Sequence, residues 1–258
     1  MANRRRNARG LASRRFGVLI SAACRTNMAP PYRLLSVIIP VYNEQATIAE
    51  VVEKVAAASI PLEKEIIIVD DGSTDDTPAI LRSVEAQVSL VHIAPANAGK
   101  GAAIRTGMQL ARGDILIIQD ADLELDPNEY RQLLQPILDG RCKVVYGSRF
   151  LADGNRVPLM RKFANRSLTT FTNLLYRTSL TDMETAYKVF TSDAIDGIEL
   201  VSDRFEIEPE ITAKFARRGL EIVEVPITYC PRTRDEGKKI KWHDGIRAVR
   251  TLIRHRLG

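Results

Sequence analysis

Leu35-Ser-Val-Ile-Ile39, then Thr47 to Ala58 with Ile48, Val51, Val52 and Val55 on one face, then Glu65-Ile-Ile-Ile-Val69: this strand–helix–strand stretch decides the fold. Continuous β-branched runs that do not alternate with polar residues suit strands covered on both faces. The pattern continues outward through Val88-Ser-Leu-Val-His-Ile93, Ile115-Leu-Ile-Ile118 and Lys143-Val-Val-Tyr146. Helical stretches separate these runs at Asp75 to Ala86, Gly101 to Ala111 and Pro127 to Leu138, the last opening with Asp126-Pro127 as cap and first helical residue. Such alternation predicts an α/β domain, a doubly wound and mostly parallel sheet flanked by helices. Ligands of these sheets bind at the carboxyl ends of the strands.

The later chain is less regular. Met160 to Arg177 and Glu208 to Arg218 read as helices, the second stopped by Gly219, and Glu221 to Tyr229 alternates like a strand. Ile240 to Leu257 reads as a basic amphipathic helix with Ile246, Val249, Ile253 and Leu257 on one side. The expected organisation is therefore a basic tail over 1–33, one domain over 34–239 with an acceptor-side subregion toward its end, and the carboxyl-terminal helix over 240–258. The Arg-rich, acid-free tail reads either as a targeting segment or as a disordered or over-extended start, with Met28 as the natural beginning.

Of 258 residues, 45% are hydrophobic and 27% charged, which excludes disordered and fibrous classes. The three cysteines, Cys24, Cys142 and Cys230, form no CxxC pair, which points to a reducing compartment and no thiolate metal site. No run of about 18 apolar residues is present to span a bilayer. The net charge of +5 is unevenly placed: residues 34–230 carry −9 and residues 231–258 carry +6. An acidic body is a poor surface for a phosphate backbone, so nucleic acid is not an expected partner, whereas a basic end suits an anionic membrane.

Polar residues gather where the strands end. The first strand runs into Pro40-Val-Tyr-Asn-Glu44, the second into Asp70-Asp71-Gly-Ser73, the fourth into Asp120-Ala-Asp122-Leu-Glu124 and the fifth into Gly147-Ser-Arg149. If the fourth strand continued, Asp120, Asp122 and Glu124 would face one way and offer three hard oxygens to Mg2+ or Mn2+. The plainer reading is a surface turn, which accounts only for Asp126. Asp70 and Asp71 could cap the following loop or accept hydrogen bonds from a ribose or base. Gly99-Lys100-Gly101 is not a phosphate loop, since Gly follows Lys where Ser or Thr is needed, so a helix start capped by Asn97 is expected. Asp114, His92, His243 and Trp242 read as cap, core or surface residues.

Taken in order, Pro40-Val-Tyr-Asn-Glu44, Val69-Asp-Asp-Gly-Ser-Thr-Asp75, Asn97-Ala-Gly-Lys-Gly101, Asp120-Ala-Asp122 and Gly147-Ser-Arg149 resemble the family 2 glycosyltransferases with the GT-A fold. The likeness runs from Leu34 to about Lys241, and within the family it is greatest to polyprenol-phosphate sugar synthases of the dolichol-phosphate mannose or glucose type. It implies a nucleoside site at Pro40, Tyr42, Glu44, Val69 and Asp71, extended by Asp120 and Ala121. It implies metal ligation by Asp120 and Asp122, with Glu124 where the family often has Gln, and a catalytic set of Asp122, Arg149 and Asp182. Arg161, Arg232 and Lys238 would face phosphates of the acceptor. In Arg232-Thr-Arg-Asp-Glu-Gly-Lys238, Asp235 and Gly237 depart from the family's Gly and Ser. Asp182-Met-Glu-Thr-Ala-Tyr-Lys188 is similar to the segment beside the donor sugar.

A phosphate acceptor is already anionic near neutral pH and needs cations to hold it, not a base. An alcohol acceptor needs a positioned carboxylate, for which Asp182 or Glu184 is available. The expectation is thus an inverting, Mg2+- or Mn2+-dependent transfer of a hexose from a UDP- or GDP-sugar to a polyprenyl phosphate, by an enzyme lying on the cytoplasmic face of a membrane, with or without a membrane-anchored partner. Two alternatives stand beside it: transfer to a sugar hydroxyl of a glycan or small acceptor, and an inactive membrane-surface binding module. A sugar-nucleotide pyrophosphorylase is disfavoured, because Tyr42-Asn-Glu44 stands where its Gly-rich basic loop belongs.

Overall fold

The computed structural model describes residues 32–232 and 242–257. Most of the basic tail, and Lys238, lie outside the described residues.

Among the described residues, seven strands form one sheet in the order β3-β2-β1-β4-β6-β5-β7. They are β1 (Leu34–Val41), β2 (Glu63–Asp70), β3 (Leu90–Ile93), β4 (Ile115–Ile118), β5 (Val144–Ser148), β6 (Lys188–Thr191) and β7 (Ile222–Pro226). Helices α1 (Ile48–Ala57), α2 (Thr77–Val84), α3 (Lys100–Leu110) and α4 (Tyr130–Leu138) connect the first five. The remaining helices are α5 (Leu159–Tyr176), the short α6 (Ser192–Ile195), α7 (Ile207–Arg217) and α8 (Trp242–Leu257).

The central strands β1 and β4 are almost wholly apolar and buried because each face has its own cover, whereas β3 at the sheet edge is largely exposed. Leu35, Val37 and Ile39 of β1 pack with Val51, Val55 and Leu133 from α1 and α4. Ile38 points the other way and joins Ile104 of α3 and Ile211 and Phe215 of α7. All of these are at most 1% exposed, so truncating any one to Ala is worth about 2–5 kcal/mol. Helix α3 approaches β1 so closely that a Cβ on Gly107 would strike the Ile38 side chain.

One strand departs from the sequence expectation. β6 is four residues long, begins with a lysine, and runs antiparallel between β4 and β5. The fifth predicted strand therefore does not adjoin the fourth; it pairs with β6 and, in parallel, with β7. Helix α7 ends where Gly219 adopts φ +73°, with the Leu220 N–H reaching back to the Phe215 carbonyl, as a left-handed stop requires.

Candidate active site

A cleft of about 780 Å3 opens at the carboxyl ends of the central strands. Pro40, Tyr42, Glu44, Asp71, Asp120 and Ala121 all line it, so six of the seven residues expected to hold a nucleotide sugar share one wall. Val69 does not: its side chain is buried with Ile67 and Ala103. The two adjacent acids of β2 divide their work. Asp70 accepts from the backbone and hydroxyl of Ser73 and closes the turn. Asp71 reaches across to accept the N–H groups of Ala98 (2.8 Å) and Gly99 (2.7 Å), which fixes the approach to α3. The expected cap at Asn97 is therefore corrected: Gly99 holds the cap position with φ +112°, and no side chain of that turn caps it.

The 120–124 segment is not an extended strand. β4 stops at Ile118, and Leu123 takes a left-handed φ of +59°, which breaks the alternation on which the convergence of Asp120, Asp122 and Glu124 was expected. Asp120 pairs with Lys100 at 2.7 Å, and Lys100 also pairs with Glu208 at 3.1 Å. Asp122 pairs with Arg232 at 3.0 Å. Glu124 turns to other duties, accepting from the Arg232 N–H (2.9 Å) and the Tyr229 hydroxyl (3.1 Å). Among the described residues no three acid, His or Cys side chains are grouped to hold one ion.

Two carboxylates nonetheless fit a divalent cation that completes its shell with phosphate oxygens, as Mg2+ commonly does. Burial, then the charges of Asp120 and Glu124, push the Asp122 carboxyl up to about 7, so the site carries more negative charge than it comfortably holds. Arg232 currently relieves it, bridging Glu44 and Asp122. That placement differs from the phosphate-facing role expected for Arg232.

Arg149 and Arg161 line the same cleft. Arg149 gives Nε and Nη2 to the two oxygens of Asp182 at 2.7 and 2.8 Å, and its guanidinium lies 5.3 Å from the Tyr229 ring. Asp182 is 0% exposed and also accepts from Asn165 and from the Arg149 backbone. Burial alone would raise its carboxyl, but the Arg149 charge and these hydrogen bonds hold it below the usual range. With both oxygens engaged, Asp182 fixes the position of the Arg149 guanidinium. Glu184, by contrast, lines the cleft.

Sequence reasoning missed the ion-pair chain Asp120–Lys100–Glu208–Lys188, in which Lys188 is 0% exposed and 2.6 Å from Glu208. Lys100 stood inside a quoted motif, but only as a failed phosphate loop. His243, read as a cap, core or surface residue, lines the cleft together with Arg247 and Ala248 of α8.

The pattern of glycosyl transferase family 2 matches residues 36–198. A low-salt glycan biosynthesis hexosyltransferase of Haloferax volcanii is 33% identical over 224 residues, which cover 85% of this chain and 53% of that protein. An undecaprenyl-phosphate 4-deoxy-4-formamido-L-arabinose transferase of Aeromonas hydrophila is 29% identical over 80% of this chain and 63% of its own length. The chain thus spans about half to two thirds of the length of these relatives. Glucosyl-3-phosphoglycerate synthase from Mycobacterium tuberculosis, solved with Mn2+, UDP and glucosyl-3-phosphoglycerate, superposes with a TM-score of 0.68 at 22% identity over 86% of this chain and 80% of that one, a likeness of fold. With the strand order, the cleft and these matches in hand, the chain belongs to glycosyl transferase family 2, on the GT-A fold.

Proposed function

We propose that this protein transfers a hexose from a nucleoside-diphosphate sugar to the phosphate of a polyprenyl lipid, with inversion at the anomeric carbon. The observation that carries the reading is one cleft lined both by Asp120 and Asp122 and by Arg149 and Arg161, while Asp182, one of the two carboxylates an alcohol acceptor could use, is engaged in holding Arg149. An acceptor that is already an anion needs that cationic grip and no proton removal.

Tyr42, Glu44 and Asp71 hold the nucleoside end of the donor. Asp120 and Asp122 would hold a divalent cation, which when bound neutralises charge on the departing diphosphate. Arg149, braced by Asp182 and stacked near Tyr229, and Arg161 hold the acceptor phosphate so that one oxygen faces the anomeric carbon. The new C–O bond forms as the bond to the diphosphate breaks.

The lipid reading also draws on two outward helix faces. Leu159, Met160, Phe163 and Leu174 of α5 are 73–84% exposed, interspersed with Arg166. On α8 the packed residues are Ala248 and Leu252, which leaves Ile246, Ile253 and Leu257 outward among arginines. Both helices line the cleft, and no helix among the described residues is long and apolar enough to cross a membrane. A helix pair of this kind suits a position in the membrane interface, beside a lipid acceptor.

The test is transfer of radiolabelled sugar from UDP-glucose or GDP-mannose to polyprenyl phosphate in the presence of Mg2+ or Mn2+. Label in the organic phase is expected; label only in water-soluble product would replace the lipid acceptor with a soluble one. That second reading, transfer to a hydroxyl, is favoured by the presence of Glu184, a carboxyl of raised pKa on the cleft wall.

A further inference from the structure

Glu184 lies in the loop between α5 and β6, two residues beyond Asp182. It lines the cleft, yet its Oε1 is buried and has no hydrogen-bond partner among the described residues. The donors around it are committed elsewhere. Lys188 gives its Nζ to the carbonyls of Met183 (3.0 Å) and Thr185 and pairs with Glu208 at 2.6 Å. Arg149 gives Nε and Nη2 to Asp182, and Asn165 gives Nδ2 to the same carboxylate. A buried acceptor left without a donor is costly, and such groups in native proteins usually await water or a ligand.

The chemistry of the cleft narrows what that ligand is. A phosphate, whether of donor or acceptor, would be repelled by a carboxylate and has arginines and the Asp120–Asp122 end to go to. A nucleoside belongs at Tyr42 and Asp71. The remaining piece of the reactants is the hexose, a ring of neutral hydroxyl donors. Resting on the function proposed above, we infer that the Glu184 carboxyl hydrogen-bonds a hydroxyl of the donor hexose and thereby selects the sugar that is transferred. Burial, against the opposing charges of Lys188 and Arg149 and with those of Glu208 and Asp182, raises this carboxyl to about 7. Both its forms are then available near neutrality, and either can engage a hydroxyl.

The experiment is calorimetric titration of wild type, Glu184→Gln and Glu184→Ala with UDP, UDP-glucose, UDP-galactose, UDP-N-acetylglucosamine, GDP and GDP-mannose in Mg2+, followed by transfer assays with the tightest donor. Wild type should bind at least one sugar nucleotide more tightly than its bare diphosphate. Glu184→Ala should lose that increment by about tenfold while binding the bare diphosphate within twofold of wild type. Glu184→Gln, which keeps an acceptor oxygen, should retain most of both the increment and the turnover. An increment that survives in Glu184→Ala, or a wild type that shows none, overturns the inference while leaving glycosyl transfer in place. A Glu184→Gln enzyme that binds donor normally but transfers nothing makes Glu184 a base and overturns it too. Binding of neither UDP nor GDP by wild type defeats the functional reading itself, and the inference with it.

Discussion

The two ends of the cleft are built by different means. From β1 to β4, parallel strands deliver Pro40, Tyr42, Glu44, Asp71 and Asp120 to one edge through backbone topology, with short loops and a local hydrogen bond or two to finish each turn. From β5 onward one reversed strand, β6, interrupts the parallel order, and position depends on buried charge: Arg149 on Asp182, Asp182 on Asn165, and Lys188 on Glu208. The first end should tolerate loss of a functional side chain without unfolding. The second should not.

Asp122→Ala tests the first half of that contrast and carries the largest expected effect. Removing it should lower turnover by about a thousandfold or more, a loss typical for a charge-stabilising group, while relieving repulsion with Asp120 and Glu124. The melting temperature should stay level or rise. A variant with wild-type turnover, or full activity in excess EDTA, would remove Asp122 and the cation from the chemistry.

Asp182→Ala tests the other half. It strands Arg149, which is 17% exposed at its side chain, beside a cavity that held a carboxylate accepting four hydrogen bonds, from Arg149 Nε, Nη2 and backbone N–H and from Asn165. Breaking a buried pair from one side typically costs 3–5 kcal/mol. Denaturant melts should show a loss of that order. Asp182→Asn, which keeps an acceptor for Arg149, should recover part of both stability and turnover. If Asn is as inactive as Ala yet as stable as wild type, Asp182 is a base after all.

The same division explains what could be read from the sequence. In β1, α1 and β2 the period of the apolar residues, the crossover and the strand-end acids all agree, because local propensity and global fold ask for the same residues there. β6 was illegible: four residues opening with Lys188 carry no period, and that lysine is buried only because Glu208, some twenty residues on, neutralises it. The convergence of Asp120, Asp122 and Glu124 was misjudged because nothing in Asp-Leu-Glu announces a left-handed leucine. The bonding of Asp182 was not legible either, because a motif gives a residue's type and place, not the partners, here Arg149 and Asn165, that saturate it. On α8 the sequence grouped Ile246, Val249, Ile253 and Leu257 on one face as if it packed; Ile246, Ile253 and Leu257 are exposed, Val249 is half-buried, and Leu252 does the packing.

Asp71→Ala returns to the nucleotide end with a smaller effect. It should weaken UDP or GDP binding by about 1.5–3 kcal/mol, the value of hydrogen bonds to a charged group. Part of that loss passes through the Ala98–Gly99 turn, which Asp71 holds. Calorimetry showing unchanged affinity would move the nucleoside elsewhere.

Glu184→Gln has a pH-dependent signature. The carboxyl is raised to about 7 in the folded protein, against an ordinary value in the fours. As pH climbs between those values the unfolded chain releases its proton first, so wild-type stability falls, and the loss is complete above the folded value. Gln carries no such penalty. Its stability gain over wild type should be about 1–3 kcal/mol at pH 8 and smaller at pH 5. Equal gains at both pH values would mean the carboxyl is ionised throughout.

The mildest prediction concerns the outward faces of α5 and α8, where neither topology nor buried charge constrains the side chains. Met160 and Phe163 are 81% and 73% exposed, so replacing both with Glu disturbs no packing and should leave the melting temperature and UDP affinity unchanged. If α5 lies in a membrane interface, the two new charges both remove apolar contact and oppose an anionic surface, where each basic residue contributes about 1 kcal/mol. Flotation with phosphatidylglycerol–phosphatidylcholine vesicles should then show binding reduced by about tenfold, and raised salt should weaken wild type further, since the arginine contribution is screened. Wild-type binding by the double variant would shift the contact to α8 alone, and an Ile253→Glu, Leu257→Glu pair with wild-type binding as well would remove the membrane surface from this face of the protein.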